Sequence, residues 1–238
     1  MGMQKRIGYD IKLVLREPIM LLFSVLPLFL MFLFRFGLPV VGDFIMRQTG
    51  ADVSQYNKYI MALAVIMTPY MTGTLAGFMM LDEKDGNILE LVLVTPNGFR
   101  GYLFSRMAVP LILSLLYLIP AFALFSGYYE SLDIIPGIAL LVAAQTLLMA
   151  LLLYSLASNK VRGLTIAKGL GILMLPMFFD LLDNRFLEIL GYATPFYWVY
   201  ALIEKGGLQI LATGLLVNLT WLAAVLALGY HKTFKISR

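Results

Sequence analysis

The chain has 238 residues, 61% hydrophobic and 13% charged, with a mean hydropathy of +0.86; a water-soluble fold of this length cannot hide so much apolar surface, since soluble domains run about 45–50% apolar and about 25% charged. It has no cysteine and a single histidine, His231, which excludes disulfides, thiolate chemistry, cysteine metal sites and the common His-based metal and nucleophile arrangements. The formal charge of +4 is spread as a membrane-topology signal, which argues against nucleic acid as a partner.

Residues 3–16 are predicted to form an amphipathic helix on the membrane surface. Ile7, Ile11, Val14 and Leu15 follow the i, i+4, i+7, i+8 pattern, while Lys5, Arg6, Lys12 and Arg16 can meet anionic lipid. The plainer alternative is a positively charged anchor ahead of the first span. The polar stretch 1–17 and the long apolar run after it do not read as a cleaved leader.

A bilayer-spanning helix needs about 20 mainly apolar residues, and charges punctuate this chain at that interval. Uncharged runs of 23, 23, 26 and 25 residues lie between Lys58 and Asp82, Arg106 and Glu130, Asp133 and Lys160, and Lys205 and His231. Two further spans carry charges near their ends, Arg35 in the first and Lys168 and Asp180 in the fifth, which can snorkel to the headgroups. The prediction is an all-α polytopic membrane protein, one domain over 1–238, with six transmembrane helices at about 18–42, 59–81, 107–129, 134–158, 163–182 and 207–230. Residues 41–58 are expected to be a polar outer loop.

Between spans two and three the chain reads DEKDGNILELVLVTPNGFRGYLFSR over 82–106. Gly86-Asn87 is a turn signal. Asn87 is a good N-cap with Glu90 three residues on, and Ile88 to Val94 would make two helical turns that Thr95-Pro96 end. Such a helix either docks into a partner, lies on the membrane or packs on this chain's own helices.

Further on, Gly73 and Gly77 in span two, and Gly163, Ala167 and Gly171 in span five, permit close helix approach, within one chain or across a dimer. The connection from Asp183 to Gly207 is centred on Tyr192-Ala193-Thr194-Pro195-Phe196-Tyr197-Trp198-Val199-Tyr200. It is too long for a tight turn and too aromatic for a solvated loop. Short helices in, or dipping into, the outer interface are predicted, a simple aromatic belt being the alternative.

Six spans place both termini on one side. The termini and the loops after spans two and four hold thirteen of the basic residues, against five on the opposite side, counting Arg35. The positive-inside rule therefore predicts that both termini are cytoplasmic.

Asp82-Glu83-Lys84-Asp85-Gly86, then Leu89, Leu93 and Val94-Thr95-Pro96, resemble the signature of ABC-2 type transporter permeases. Gly101-Tyr102-Leu103-Phe104-Ser105-Arg106 is similar to the family's approach to its third span. One departure stands out: the family's glycine lies nine residues before the proline, where this chain has Asn87, with Gly86 one step earlier. The resemblance implies a permease subunit of an ATP-driven exporter in the inner membrane of a bacterium, closest in style to drug or fluoroquinolone exporters and moving a hydrophobic or amphipathic substrate. The loop over about 86–95 would then be a coupling helix docked on a separate ATPase. Contacts would come from Glu83, Glu90, Leu91 and Leu93, and Gly86, Asn87, Thr95 and Pro96 would shape the loop. The partners implied are two ATPase copies, which bind the ATP and Mg, a second permease, identical or not, and membrane lipid. This chain itself would bind no cofactor and catalyse nothing, and it has no GxxxxGK[ST] phosphate loop.

Two other classes compete with this reading. An ion-coupled secondary carrier would need ionisable groups near the midplane, where only Arg35, Lys168 and Asp180 come close. A lipid-headgroup enzyme would need the downstream aspartates that should follow Asp82, Asp85 and Gly86, and these are absent.

Overall fold

The computed structural model describes residues 12, 14–86, 98–182 and 184–234. These residues form an all-α membrane bundle, in which six helical segments are long and apolar enough to cross a bilayer: 18–49, 54–85, 101–124, 134–156, 160–182 and 208–228. In chain order its helices are α1 (Pro18–Phe32), α2 (Leu38–Thr49), α3 (Asn57–Asp85), α4 (Gly98–Leu116), α5 (Leu118–Leu124), α6 (Ile134–Leu156), α7 (Lys160–Leu170), α8 (Arg185–Tyr192), α9 (Tyr197–Lys205) and α10 (Leu208–Phe234).

The mast of the bundle is α3. Its most apolar window is 83% buried, against 17% for the first and sixth spans, so the other helices pack around it. Its buried threonines satisfy their hydroxyls on the helix itself, Thr72 donating to the Thr68 carbonyl (2.8 Å) and Thr74 to that of Tyr70 (2.6 Å). Both small-residue stripes are packing surfaces within the chain. A Cβ at Gly73 would lie 2.6 Å from the Thr146 carbonyl oxygen, and one at Gly77 2.8 Å from Leu153, so α3 and α6 touch backbone to backbone. A Cβ at Gly163 would meet Leu81 at 2.8 Å, and the Tyr70 hydroxyl donates to the Ala167 carbonyl (2.7 Å), fastening α7 to α3.

Proline sets the remaining breaks. Pro18 opens α1 at its first turn, where its missing N–H costs nothing. Pro39 crowds the carbonyl four residues back, and a π-turn over Leu33–Gly37 absorbs the strain between α1 and α2. Pro120 does the same to Leu116, and the third span breaks at Tyr117. After Gly171 the fifth span runs to Leu182 as a 3₁₀ helix containing Pro176, a form that advances about 2.0 Å per residue in place of 1.5 Å.

Several boundaries differ from the sequence expectation. The first span continues as helix to Thr49 and stops on Gly50, in the left-handed conformation (φ 72°) with its N–H on the Met46 carbonyl. Part of the expected outer loop is therefore helical: Val40 and Val41 recur with Phe44 and Ile45 at helical spacing, and the glycine and the charge between them make the stretch look like a loop. The fifth span begins at Lys160, capped by Asn159, whose side chain accepts the Arg162 N–H (2.9 Å). Lys168 thus lies two turns inside the span, exposed on its outer face. Arg35 turns to the far end of the bundle, its guanidinium 5.8 Å from the Tyr128 ring centre. The predicted helix over 88–94 falls outside the described residues.

Candidate functional site: the loop root and the re-entrant hairpin

Helix α3 runs on for a full turn past the apolar span. That turn, Asp82 to Asp85, is the root of the polar loop. Each of its four charged side chains has a partner on another element. Glu83 is buried (6% exposed) and forms a two-pronged ion pair with Arg106 of α4, its Oε2 accepting the Arg106 Nε–H at 2.9 Å. Tyr102 is buried beside this pair. Asp82 pairs with Lys160 of α7 at 3.0 Å, and the same ammonium binds Glu17 at the head of α1. Asp85 accepts the Lys160 backbone N–H (2.9 Å), and the Lys84 ammonium lies 5.3 Å from the Tyr154 ring centre on α6. The turn that launches the loop is thus bound to α1, α4, α6 and α7 together.

This places the expected coupling residues unequally. Glu83 points into the bundle toward Arg106, so its carboxylate is a clamp within the chain. Gly86 ends α3 with φ −82°, its N–H on the Asp82 carbonyl; nothing in its backbone demands glycine. Asn87, Glu90, Leu91, Leu93, Thr95 and Pro96 lie outside the described residues, as do Lys5, Arg6, Ile7 and Ile11 of the interface helix. Of that helix, Lys12 and residues 14–16 are helical; Val14 is buried while Lys12, Leu15 and Arg16 are exposed.

The second construction stands at the opposite end. Helices α8 and α9 are bent by 105° about Ala193–Phe196. At about 1.5 Å per residue, neither arm exceeds roughly 14 Å, too short to cross a core of about 30 Å. The hairpin leaves and returns at one end of the bundle. Tyr197 reaches Asp180 of span five (3.2 Å), and Glu204 binds Lys58, which also binds Glu130. Tyr200 stacks on Tyr59 with ring centres 4.5 Å apart, and their hydroxyls share a hydrogen bond (2.7 Å). The predicted dipping helices are therefore present as a re-entrant hairpin, and the span count stays at six.

The tip of the hairpin is held by two amides that the sequence reading passed over. Gln145 of α6 donates to the Pro195 carbonyl (2.8 Å), and Asn218 of α10 donates to the same oxygen (3.2 Å) and to the Gly214 carbonyl (2.8 Å). Both side chains are fully buried. Gln145 lies eleven residues into α6 and Asn218 ten into α10, which puts the tip roughly 15 Å deep, near the bilayer centre. The signal was available: a lone amide in the middle of an apolar span is expensive unless it finds a partner. Trp198 and Trp221 complete the grip, their indole N–H groups donating to the Tyr192 and Ala193 carbonyls at the end of α8.

Comparison with known proteins identifies the family. A family model described as fluoroquinolones export permease protein Rv2686c-like matches residues 10–227. Two relatives, the fluoroquinolones export permease proteins Rv2686c and MT2760 of Mycobacterium tuberculosis strains, are each 26% identical over 202 residues, which covers 80% of this chain and 79% of theirs. No solved structure matches.

Proposed function

The chain belongs to the Rv2686c-like family of fluoroquinolones export permeases, and from that premise we propose that it is the membrane subunit of an ABC-2 type exporter driven by a separate ATPase. Two ATPase copies and a second permease complete the complex. Its cargo is a hydrophobic or amphipathic drug-like molecule. The termini and the loop over 87–97 face the cytoplasm, and that loop docks on the ATPase.

The observation that carries this reading is the root of the loop. A coupling element needs a rigid connection with more than one position, and a loop on a free tether would dissipate any push. Here the push enters at Asp82–Asp85, the end of an unbroken 29-residue helix buried along most of its length. The Glu83–Arg106 pair passes it to α4, and Lys160 passes it to α7 and to the start of α1. At the other end of α3, Lys58 and Tyr59 meet Glu204 and Tyr200 on α9. One rigid helix thus joins the loop root to the hairpin, so ATP-driven closure on one side would bear on the outer side. In this reading Glu83 and Arg106 are positioning residues, and contact with the ATPase falls to Glu90, Leu91 and Leu93.

The test is co-purification of the full chain with a co-expressed ABC ATPase of the same organism. Glu90→Ala with Leu91→Ala should weaken the complex at least about tenfold while the permease stays monodisperse. Glu83→Ala should instead lower thermal stability. If wild-type protein captures no ATPase and its proteoliposomes show ion-dependent, ATP-independent flux, the secondary-carrier class replaces this proposal.

A further inference from the structure

On the flank of the bundle, at the end where the loop root lies, a groove of about 320 Å³ opens between the segment 14–16, α1, α3 and α4. Leu75 forms its floor and Val109, Ile112, Leu113 and Leu116 line it along α4, with Leu15 at its mouth. We propose that this groove holds an acyl chain of an anionic phospholipid, with the lipid phosphate on Lys12 and Arg16.

Three observations select this occupant. The first is chemistry. The lining is almost wholly apolar, and the polar groups that reach it are engaged: the Ser24 hydroxyl donates to the Leu21 carbonyl, and the Tyr117 hydroxyl to that of Ser24. A drug with several polar groups would lose its hydration there and gain no partner, whereas an acyl chain needs none. The second is length. From Arg106, whose ion pair marks the polar end of α4, to Leu116 is ten residues, roughly 15 Å, or half of a core of about 30 Å. Tyr117 then bridges to α1 and ends the groove, so its depth is that of one leaflet. The third is charge. Lys12 lies one helical turn before Leu15 and Arg16 directly after it, and both are exposed. Glu17, the acid beside them, is bound to Lys160, so the mouth favours an anion. Each basic residue near an anionic headgroup strengthens attraction roughly fivefold, on the order of twentyfold for two. A lipid held this way would touch α1, α3 and α4 at once and set the position of the segment before Pro18. The inference needs only the spans, neither the ATPase nor the direction of transport.

Native mass spectrometry of delipidated full-length protein, titrated with phosphatidylglycerol or phosphatidylcholine, tests it. Wild type should retain one phosphatidylglycerol per chain, with roughly twentyfold preference over phosphatidylcholine. Lys12→Gln with Arg16→Gln should bring that preference close to one and leave phosphatidylcholine retention unchanged. Ile112→Trp, which fills the groove, should abolish retention of either lipid, while Leu216→Trp on an exposed face of α10 should not. Melting temperatures of all four proteins separate a lost site from a lost fold. No preference in wild type, a preference that survives the double variant, or retention that survives Ile112→Trp would each overturn the proposal. So would a shift of Ile112→Trp from dimer to monomer with unchanged lipid retention, which would make the groove a contact between copies.

Discussion

Gly73 and Gly169 have the same composition and both sit in membrane helices, yet the fold treats them oppositely. A methyl group at Gly73 would come within 2.6 Å of both the Thr146 carbonyl oxygen and Met149 Cβ, whereas one at Gly169 would meet nothing within 4 Å. Gly73→Ala should therefore cost about 1–3 kcal/mol through forced separation of α3 and α6. Gly169→Ala should be neutral or gain up to about 1 kcal/mol in helix propensity. Thermal melts in detergent would show the contrast, and equal melting temperatures would refute the backbone contact. Glu83 makes a sharper case. Removing one partner of a buried ion pair leaves the other uncompensated and costs about 3–5 kcal/mol, so Glu83→Ala should melt well below wild type. The swapped pair Glu83→Arg with Arg106→Glu should recover part of that loss; no recovery would mean that Arg106 and Glu83 act independently. The spacing of Gly73 and Gly77 announced a close approach in the sequence, but which helix approaches was not legible. The DEKDG cluster stands out in the sequence, but nothing there shows that Glu83 turns inward, because the partner 23 residues on is brought to it only by the packing of α4 against α3.

Four uncharged runs, and two apolar runs with charges only near their ends, were enough to foresee the spans, since lipid demands about 20 apolar residues whatever the partner helix. What runs of hydropathy cannot show is where a helix continues once it leaves the apolar zone, as α3 does to Asp85 and α2 does to Thr49. The hairpin α8–α9 lies between these cases. Its aromatic content foretold an outer element, while its depth depends on two amides 73 residues apart that meet at one carbonyl. Replacing either amide with leucine removes one donor from Pro195; replacing both leaves that buried oxygen unpaired, a cost of about 1–3 kcal/mol. Gln145→Leu with Asn218→Leu should therefore loosen the tip. In this cysteine-free chain, Thr194→Cys reports on it directly. Its modification by a membrane-impermeant thiol reagent should be slow in the otherwise wild-type protein and severalfold faster with both leucines present. Equal rates would mean that the hairpin is held by its aromatic contacts alone.

At the scale of the whole molecule, two separate ionic clusters mark its ends. Among the described residues, one level holds the Lys160 pairs with Glu17 and Asp82 beside the Glu83–Arg106 pair, and the other holds Lys58 with Glu130 and Glu204. Every span begins or ends at one of these levels, which gives the bundle a top and a bottom without saying which faces the cytoplasm. The proposed assignment rests on the expectation from the sequence, thirteen basic residues on the side of the termini and five on the other, through a rule of insertion rather than of stability. It can be checked with two near-isosteric substitutions at exposed positions, Ser158→Cys in the turn between α6 and α7 and Ser131→Cys ahead of α6. In intact cells an impermeant maleimide should label Ser131→Cys and spare Ser158→Cys until the membrane is opened. The converse pattern would leave the fold, the ion pairs and the hairpin as described, but would put residues 87–97 on the side without ATP. The coupling role would fall with it, because a loop outside the cell has no ATPase to meet. The lipid groove would survive that result, since it depends on the depth of a leaflet and not on which leaflet it is.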